Sequence, residues 1–301
     1  MSSIPKTIYY CWFGGEKPEN VLACLNNWKE KLPEYNIVEI NEYNKELFDL
    51  EKECQNSLWF KTVWEHKMWA YAADYARLKV LYENGGVYFD TDITIEKDIT
   101  ELLEKDKLVL GWEDKKLINF AVGIVPAKNQ IIKEMFDFYN DEIWNSKLYS
   151  IPHITTHTLQ KHYKLNPSTE ITENEDILIL PYKYFYPLPI GLKDKAGFVT
   201  ENTYTIHWWD ATWTKSNIDC FLRNKHKVEY NKLINYCFKR KTILNNKFIQ
   251  IEKLHQTFTI NMDWYYAFRF KYRYWGKNRF LTIFIFGIQI PLFKIGGRNE
   301  N

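Results

Sequence analysis

Apolar and β-branched positions first gather in residues 4–12 (IPKTIYYCW), and Gly14 and Gly15 close the run. This predicts a buried opening strand. Residues 18–31 predict a helix and residues 36–40 (NIVEI) a second strand. An opening of this βαβ kind predicts an α/β domain with a mostly parallel sheet. The clearest period lies in residues 66–84, where Trp69, Ala72, Ala73, Ala76 and Val80 fall on one helical face. Leu78 and Leu81 lie off that face, so the helix is expected to be buried on more than one side. Gly85 suits the left-handed turn after a helix. Residues 86–89 (GVYF) then read as a short strand running into Asp90-Thr91-Asp92. Further short strands are predicted at 108–111, 121–125, 177–180 and 204–208. After about Lys215 the pattern becomes helical and basic to about residue 260. An aromatic-basic stretch follows at 264–279, then residues 280–295 (FLTIFIFGIQIPLFKI). Gly287, Gln289 and Pro291 interrupt this last run. It is too short and too broken for a membrane-spanning helix and predicts a hairpin of two apolar strands.

Composition changes this picture in two places. Of 301 residues, 46% are apolar and 26% charged, which excludes a disordered chain. Aromatics reach 17%, enough both to pack a core and to line a site for sugars or bases. The net charge of +2 conceals an asymmetry. From Lys215 onward there are 17 basic and 5 acidic residues, a balance of +12, which leaves −10 for the first 214. The expected division is therefore an acidic body, 1–214, and a basic, helical and aromatic extension, 215–301. Such an extension is expected to seek an anionic membrane surface or an oligomer contact. Nucleic acid is not expected beside an acidic body. The five cysteines, Cys11, Cys24, Cys54, Cys220 and Cys237, form no CxxC pair, which argues against a zinc ribbon or a disulfide framework. The N-terminus lacks a secretory pattern, so the expected location is cytoplasmic, including the cytoplasmic face of the membrane.

The chemistry concentrates in residues 73–92 (ADYARLKVLYENGGVYFDTD). Alternate residues of an extended chain point the same way, so Asp90 and Asp92 are expected to approach one divalent cation. Hard cations such as Mg²⁺ and Mn²⁺ take oxygen ligands and leave positions for substrate phosphates. Asp74 and Arg77 stand three apart on a largely apolar helix. They are either an ordinary intrahelical salt bridge or a charged pair aimed at a pocket. No phosphate-binding glycine loop, zinc-protease motif or nucleophile elbow is present.

The ordered run of Ala73, Asp74, Arg77, Leu81, Gly85, Gly86, Tyr88, Asp90 and Asp92 resembles the sugar-nucleotide-binding core of family-32 glycosyltransferases. Residues 4–14 resemble that family's first strand, and the late His207…Trp213 segment its closing motif. Together the resemblance covers roughly residues 4–214. It implies a GT-A type mixed sheet flanked by helices. It also implies donor contacts by Trp12, Asp74, Arg77, Tyr88, Asp90, Asn119 and Trp213. Trp12 is expected either to stack on the base or to sit in the core. Asp74 would accept hydrogen bonds from sugar hydroxyls, and Arg77 would hold sugar or phosphate. Asp90, Asp92 and His207 would ligate Mn²⁺ or Mg²⁺. Thr212 stands where the family often has Ser. Asp74, Arg77 and Asp92 carry the catalytic assignment. His153, His157, Glu113 and Asp114 are weaker candidates for the acceptor side.

The expected activity is a metal-dependent, retaining transfer of a sugar from a nucleotide-sugar donor, UDP-linked by preference. The acceptor would be a glycan or lipid-linked glycan, in surface polysaccharide synthesis. The competing expectations are a non-catalytic membrane or nucleic-acid adaptor and a nucleotidyltransferase using the same carboxylates.

Overall fold

The computed structural model describes residues 3–210 and 216–239, and backbone strands within 249–297. Trp213 and Thr212 lie outside the described residues. The chain divides into two units, Met1–Lys239 and Arg240–Asn301.

The first unit opens with β1 (Thr7–Cys11), α1 (Glu19–Lys31), β2 (Asn36–Ile40), α2 (Leu50–Asn56), α3 (Leu58–Glu65) and α4 (Trp69–Asn84). There follow β3 (Gly86–Phe89), β4 (Ile93–Ile95), α5 (Thr100–Leu103), β5 (Leu108–Trp112), β6 (Ile118–Val125), α6 (Gln130–Asp141) and α7 (Ile151–His162). It closes with β7 (Thr172–Glu173), β8 (Ile177–Leu180), α8 (Tyr182–Phe185), β9 (Thr205–His207), α9 (Ser216–Asn224) and α10 (Tyr230–Ile234).

Seven strands form one sheet in the order β2-β1-β3-β6-β5-β8-β7. The pairs β2–β1, β1–β3 and β5–β8 are parallel, whereas β3–β6, β6–β5 and β8–β7 are antiparallel. The sheet is thus mixed, more so than its βαβ opening suggests. Because β6 runs against both β3 and β5, those two run the same way. The carboxyl ends of β1, β3, β5 and β8 therefore share one edge of the sheet. Two hydrophobic clusters cover the two faces. One holds α3, α4 and α6 over Tyr9, Tyr88 and Phe120. The other holds α1 over Ile8, Val87 and Val122. Alternation along β1 and β3 supplies both, whereas on β6 Phe120 and Val122, two residues apart, fall in different clusters.

The helix α4 carries buried residues on every side, from Tyr71 to Leu81. It begins at Trp69, three residues later than the period predicts, because Lys67 takes a left-handed φ of 54°. Gly85 N donates the last bond of the helix to Leu81 O, and the Gly85 φ of 65° turns the chain into β3. Gly86 follows at φ 115°, with Thr7 O only 2.8 Å from where a Cβ would stand. Only glycine lets β3 lie this close to β1.

The second unit is an antiparallel meander, β10 (Ile249–Leu254), β11 (Thr257–Trp264), β12 (Phe268–Trp275), β13 (Asn278–Ile285) and β14 (Ile288–Gly297). The last two are the expected apolar hairpin. Strands already begin at Ile249, so the helical reading to about residue 260 is corrected. The first four residues of β10, IQIE, alternate apolar and polar positions, a period of two.

Candidate active site

The site begins with a charge problem inside α4. Asp74 and Arg77 are both buried. The Arg77 Nη2 lies 2.9 Å from Asp74 Oδ1 and 3.1 Å from Asp90 Oδ1. Its Nη1 donates to Phe120 O at 2.9 Å. The guanidinium also lies 4.2 Å from the ring centre of Tyr88. One planar fork thus ties α4, β3 and β6 together, a task that needs several donors in fixed directions. Burial opposes the Arg77 charge, but Asp90, Tyr88 and Asp74 hold it on. Burial also pushes the Asp74 carboxyl up to about 7, against the pull of Arg77 and with the push of Asp90. One guanidinium cannot fully neutralise two carboxylates.

Asp90 and Asp92 converge by a different route from the one the sequence suggests. The segment after β3 is a turn, closed by Ile93 N donating to Asp90 O at 3.1 Å. The two carboxylates meet across this turn rather than by strand alternation. Asp90 N donates to Ala121 O at 2.8 Å, which fixes the turn to β6. The short strand β4 then pairs with β9 in a separate two-stranded sheet, Ile93 opposite His207. That pairing carries His207 to the acidic turn.

Ligand atoms of Asp90, Asp92 and His207 all lie within 4.8 Å of one another. Asp90, Asp92 and His207 are thus near enough to hold one divalent cation, which would supply Lewis-acid chemistry there. Two carboxylate oxygens and an imidazole nitrogen suit Mn²⁺ or Mg²⁺, with positions left for phosphate. His207 Nε2 is 3.2 Å from Asp92 Oδ1. Burial works to raise the Asp92 carboxyl, but His207 and the Asp210 backbone N–H hold it low. The imidazole is correspondingly raised: burial disfavours its charge, while Asp92, Asp90 and Glu113 outweigh burial. Asp210 N donates to Asp92 Oδ2 at 2.9 Å, and Trp208 N to Asp92 O at the same distance. Trp209 lies over the imidazole, ring centres 3.9 Å apart. Its φ of 56° is an uncommon conformation for so large a side chain.

The other expected residues take varied places. Trp12 is half-buried at the end of β1, its Nε1 donating to Gly15 O at 2.8 Å. Tyr88 lies in the core beneath Arg77. Asn119 is the second residue of β6, and its Oδ1 accepts from Phe120 N and Ala121 N. Asp114 is exposed and caps the β5–β6 turn through Lys116 N and Leu117 N. His153 and His157 are exposed on α7 and are not in the ligand cluster. Trp209 and Asp210 were missed by sequence reasoning, although the run HWWD sets both beside His207.

An acidic turn and a histidine at the carboxyl edge of a mixed α/β sheet form a candidate cation site, at the edge where ligands of open α/β sheets bind. Residues 18–109 match the family model described as a glycosyltransferase sugar-binding region containing the DXD motif. Residues 18–109 are thus similar to the sugar-binding region of DXD glycosyltransferases. It is 23% identical over 239 residues to an uncharacterized glycosyltransferase, L373, of Acanthamoeba polyphaga mimivirus, covering 75% of this chain and 90% of that one. It is 24% identical over 169 residues to lactosylceramide 4-alpha-galactosyltransferase of Homo sapiens, covering 50% of this chain and 46% of that one. The chain therefore spans about half the length of that relative. Among solved structures, the PaToxG glycosyltransferase matches with a TM-score of 0.43 and 20% identity, over 52% of this chain and 69% of that one. The galactosyltransferase LgtC, solved with donor and acceptor sugar analogs, matches with a TM-score of 0.38 and 11% identity, over 79% and 97%.

Proposed function

We propose that the chain is a metal-dependent, retaining glycosyltransferase. It takes a sugar from a nucleotide-sugar donor, UDP-linked by preference, to a glycan or lipid-linked glycan. The observation that carries this reading is the convergence of Asp90, Asp92 and His207 beside the buried Asp74–Arg77 pair. The matched sugar-binding region supports it. So does the name of the human relative, which states an α-linked galactose on lactosylceramide, a lipid-linked sugar.

Breaking the anomeric bond of such a donor leaves charge on the departing diphosphate. A divalent cation bound here would supply Lewis-acid stabilisation of that charge. The chain's own residues do the placing. Asp92, held ionised by His207 and the Asp210 N–H, offers a carboxylate that needs no proton removed near neutral pH. Asp90 is held at the end of β3 by Arg77 and by its bond to Ala121 O. Asp74, which shares the Arg77 Nη2 with Asp90, would serve as a hydrogen-bond partner for donor sugar hydroxyls. Trp12, half-buried at the end of β1 on the same sheet edge, offers a ring face for the base.

The test is hydrolysis of a panel of UDP- and GDP-sugars, with and without Mn²⁺, read as released nucleoside diphosphate. Asp92→Asn is expected to lower Mn²⁺-dependent turnover at least a hundredfold while the protein stays folded by circular dichroism. Wild-type turnover in excess chelator would sink the metal reading. Release of pyrophosphate instead of nucleoside diphosphate would point to nucleotidyl transfer.

A further inference from the structure

Two buried atoms near the candidate cation site have no hydrogen-bond partner among the described residues: Nδ1 of His207 and Oε2 of Glu113. One becomes a donor when the imidazole is neutral and Nε2 is engaged, and the other is an acceptor. An unmet buried group of either kind is costly. The two residues interact electrostatically with each other.

The fold places them together. Glu113 follows β5 directly, on the same sheet edge as Asp90. Its backbone is fixed by Glu113 N donating to Leu117 O at 2.7 Å, across the turn into β6. A Cβ on Gly111 would meet Phe185 and Tyr186, at 2.8 and 3.3 Å. Glu113 stands two residues beyond Gly111, just past the strand end, and its carboxylate interacts electrostatically with Tyr186. Tyr186 is pinned there by its hydroxyl, which accepts from Val122 N at 2.9 Å. The His207 ring lies on this same tyrosine, ring centres 5.8 Å apart, with Trp209 as its other neighbour. Nε2 of the imidazole points to Asp92, which leaves Nδ1 for another partner.

We infer that Glu113 is a positioning residue for His207: its Oε2 accepts the Nδ1–H, directly or through one bridging water, and so fixes the tautomer that frees Nε2 for the cation. Metal-bound histidines commonly carry such a carboxylate partner on the other ring nitrogen, which sets the ring's orientation and its basicity. The inference rests on the metal reading proposed above but assigns a residue outside the ligand set.

The experiment measures Mn²⁺ binding to the full chain by loss of the free-ion electron paramagnetic resonance signal, alone and with added UDP. Glu113→Ala is expected to weaken Mn²⁺ binding by about 10–100-fold. Glu113→Gln keeps an oxygen acceptor of the same reach and is expected to restore most of the affinity. Glu113→Leu fills the volume without an acceptor and replaces the alanine variant if that one unfolds. Urea midpoints without metal confirm that the compared variants are folded. Wild-type affinity in Glu113→Ala, or in Glu113→Leu where it replaces the alanine variant, overturns the inference. Equal weakening in Glu113→Gln and the apolar variant overturns the hydrogen-bonding role. If the wild type binds no Mn²⁺ with or without UDP, the metal reading fails and takes this inference with it. Binding by the wild type with indifferent variants removes the inference alone.

Discussion

Arg77 shows how a single side chain can be both structure and site. It spends its donors on Asp74, Asp90, Phe120 O and Ala73 O, and stacks on Tyr88. Removing one partner of a buried ion pair leaves charge uncompensated, at about 3–5 kcal/mol. Arg77→Ala is therefore expected to lower the unfolding free energy by about that much in urea titrations. Arg77→Lys is expected to recover part of the stability and little of the turnover, because an ammonium cannot reach all these acceptors. Equal turnover in Arg77→Lys and wild type would reduce Arg77 to a counter-charge. The Asp74–Arg77 spacing was legible in the sequence as a pair. Its grip on Asp90 was not, because that contact depends on how closely β3 lies beside α4. The Glu113 carboxylate was visible only as a polar residue after a strand. Its orphan oxygen exists only once Tyr186 and His207 are in place.

At the level of elements, the strands and helices with strong periods were legible, and the pairings that complete the site were not. β1, α1, β2, β3 and β8 fall where the apolar pattern puts them. The short β4–β9 ladder has only three residues on each side. Nothing in either segment announces the other, since pairing depends on the sheet that brings them together. Gly86 is a position where sequence and packing agree. Its φ of 115° and the closeness of Thr7 O leave no room for a side chain. Gly86→Ala is expected to cost at least about 1–3 kcal/mol of strain, seen as a lower urea midpoint. An unchanged midpoint would mean that β3 can shift away from β1. A second element-level device joins α9 to the segment after α6. Lys225, buried at the end of α9, donates through Nζ to Ile143 O and Ser146 O. Burial lowers its ammonium from 10.5 to about 8. Between those values the unfolded chain binds more protons than the folded one, so stability rises with pH across that window. At ~1.4 kcal/mol per unit, wild type is expected to gain about 2–3 kcal/mol on Lys225→Met between pH 8 and 10.5. Parallel unfolding curves for the two proteins over that range would refute this.

The whole molecule joins an acidic first unit to a strand meander in a basic, aromatic region of the sequence. Among the described residues no helix is long and apolar enough to cross a membrane. We propose that the basic extension meets an anionic membrane surface, where each Lys or Arg is worth about 1 kcal/mol. A chain ending at Lys239 is expected to keep Mn²⁺-dependent donor hydrolysis, since the residues assigned to cation and donor precede that point. It is also expected to lose co-sedimentation with anionic vesicles. For the full chain, that co-sedimentation should weaken with salt, since exposed charges are screened over about 8 Å. Full-length protein that ignores anionic vesicles at low salt would end the membrane role. The strand character at residues 249–260 escaped the helical reading because lysine suits either period, and only the alternation in IQIE tells them apart. The acidic turn itself has a further consequence. Asp92 and Asp210, which bond to each other, stand 118 positions apart. On a ribosome adding about 5–20 residues per second, Asp90 and Asp92 emerge on the order of ten seconds before His207. During that interval the growing chain holds two carboxylates and no third ligand, so its grip on a cation stays weak. On the metal reading proposed above, a cation is thus captured only by a chain long enough to have closed β9 onto β4, and metal loading becomes a late checkpoint on synthesis.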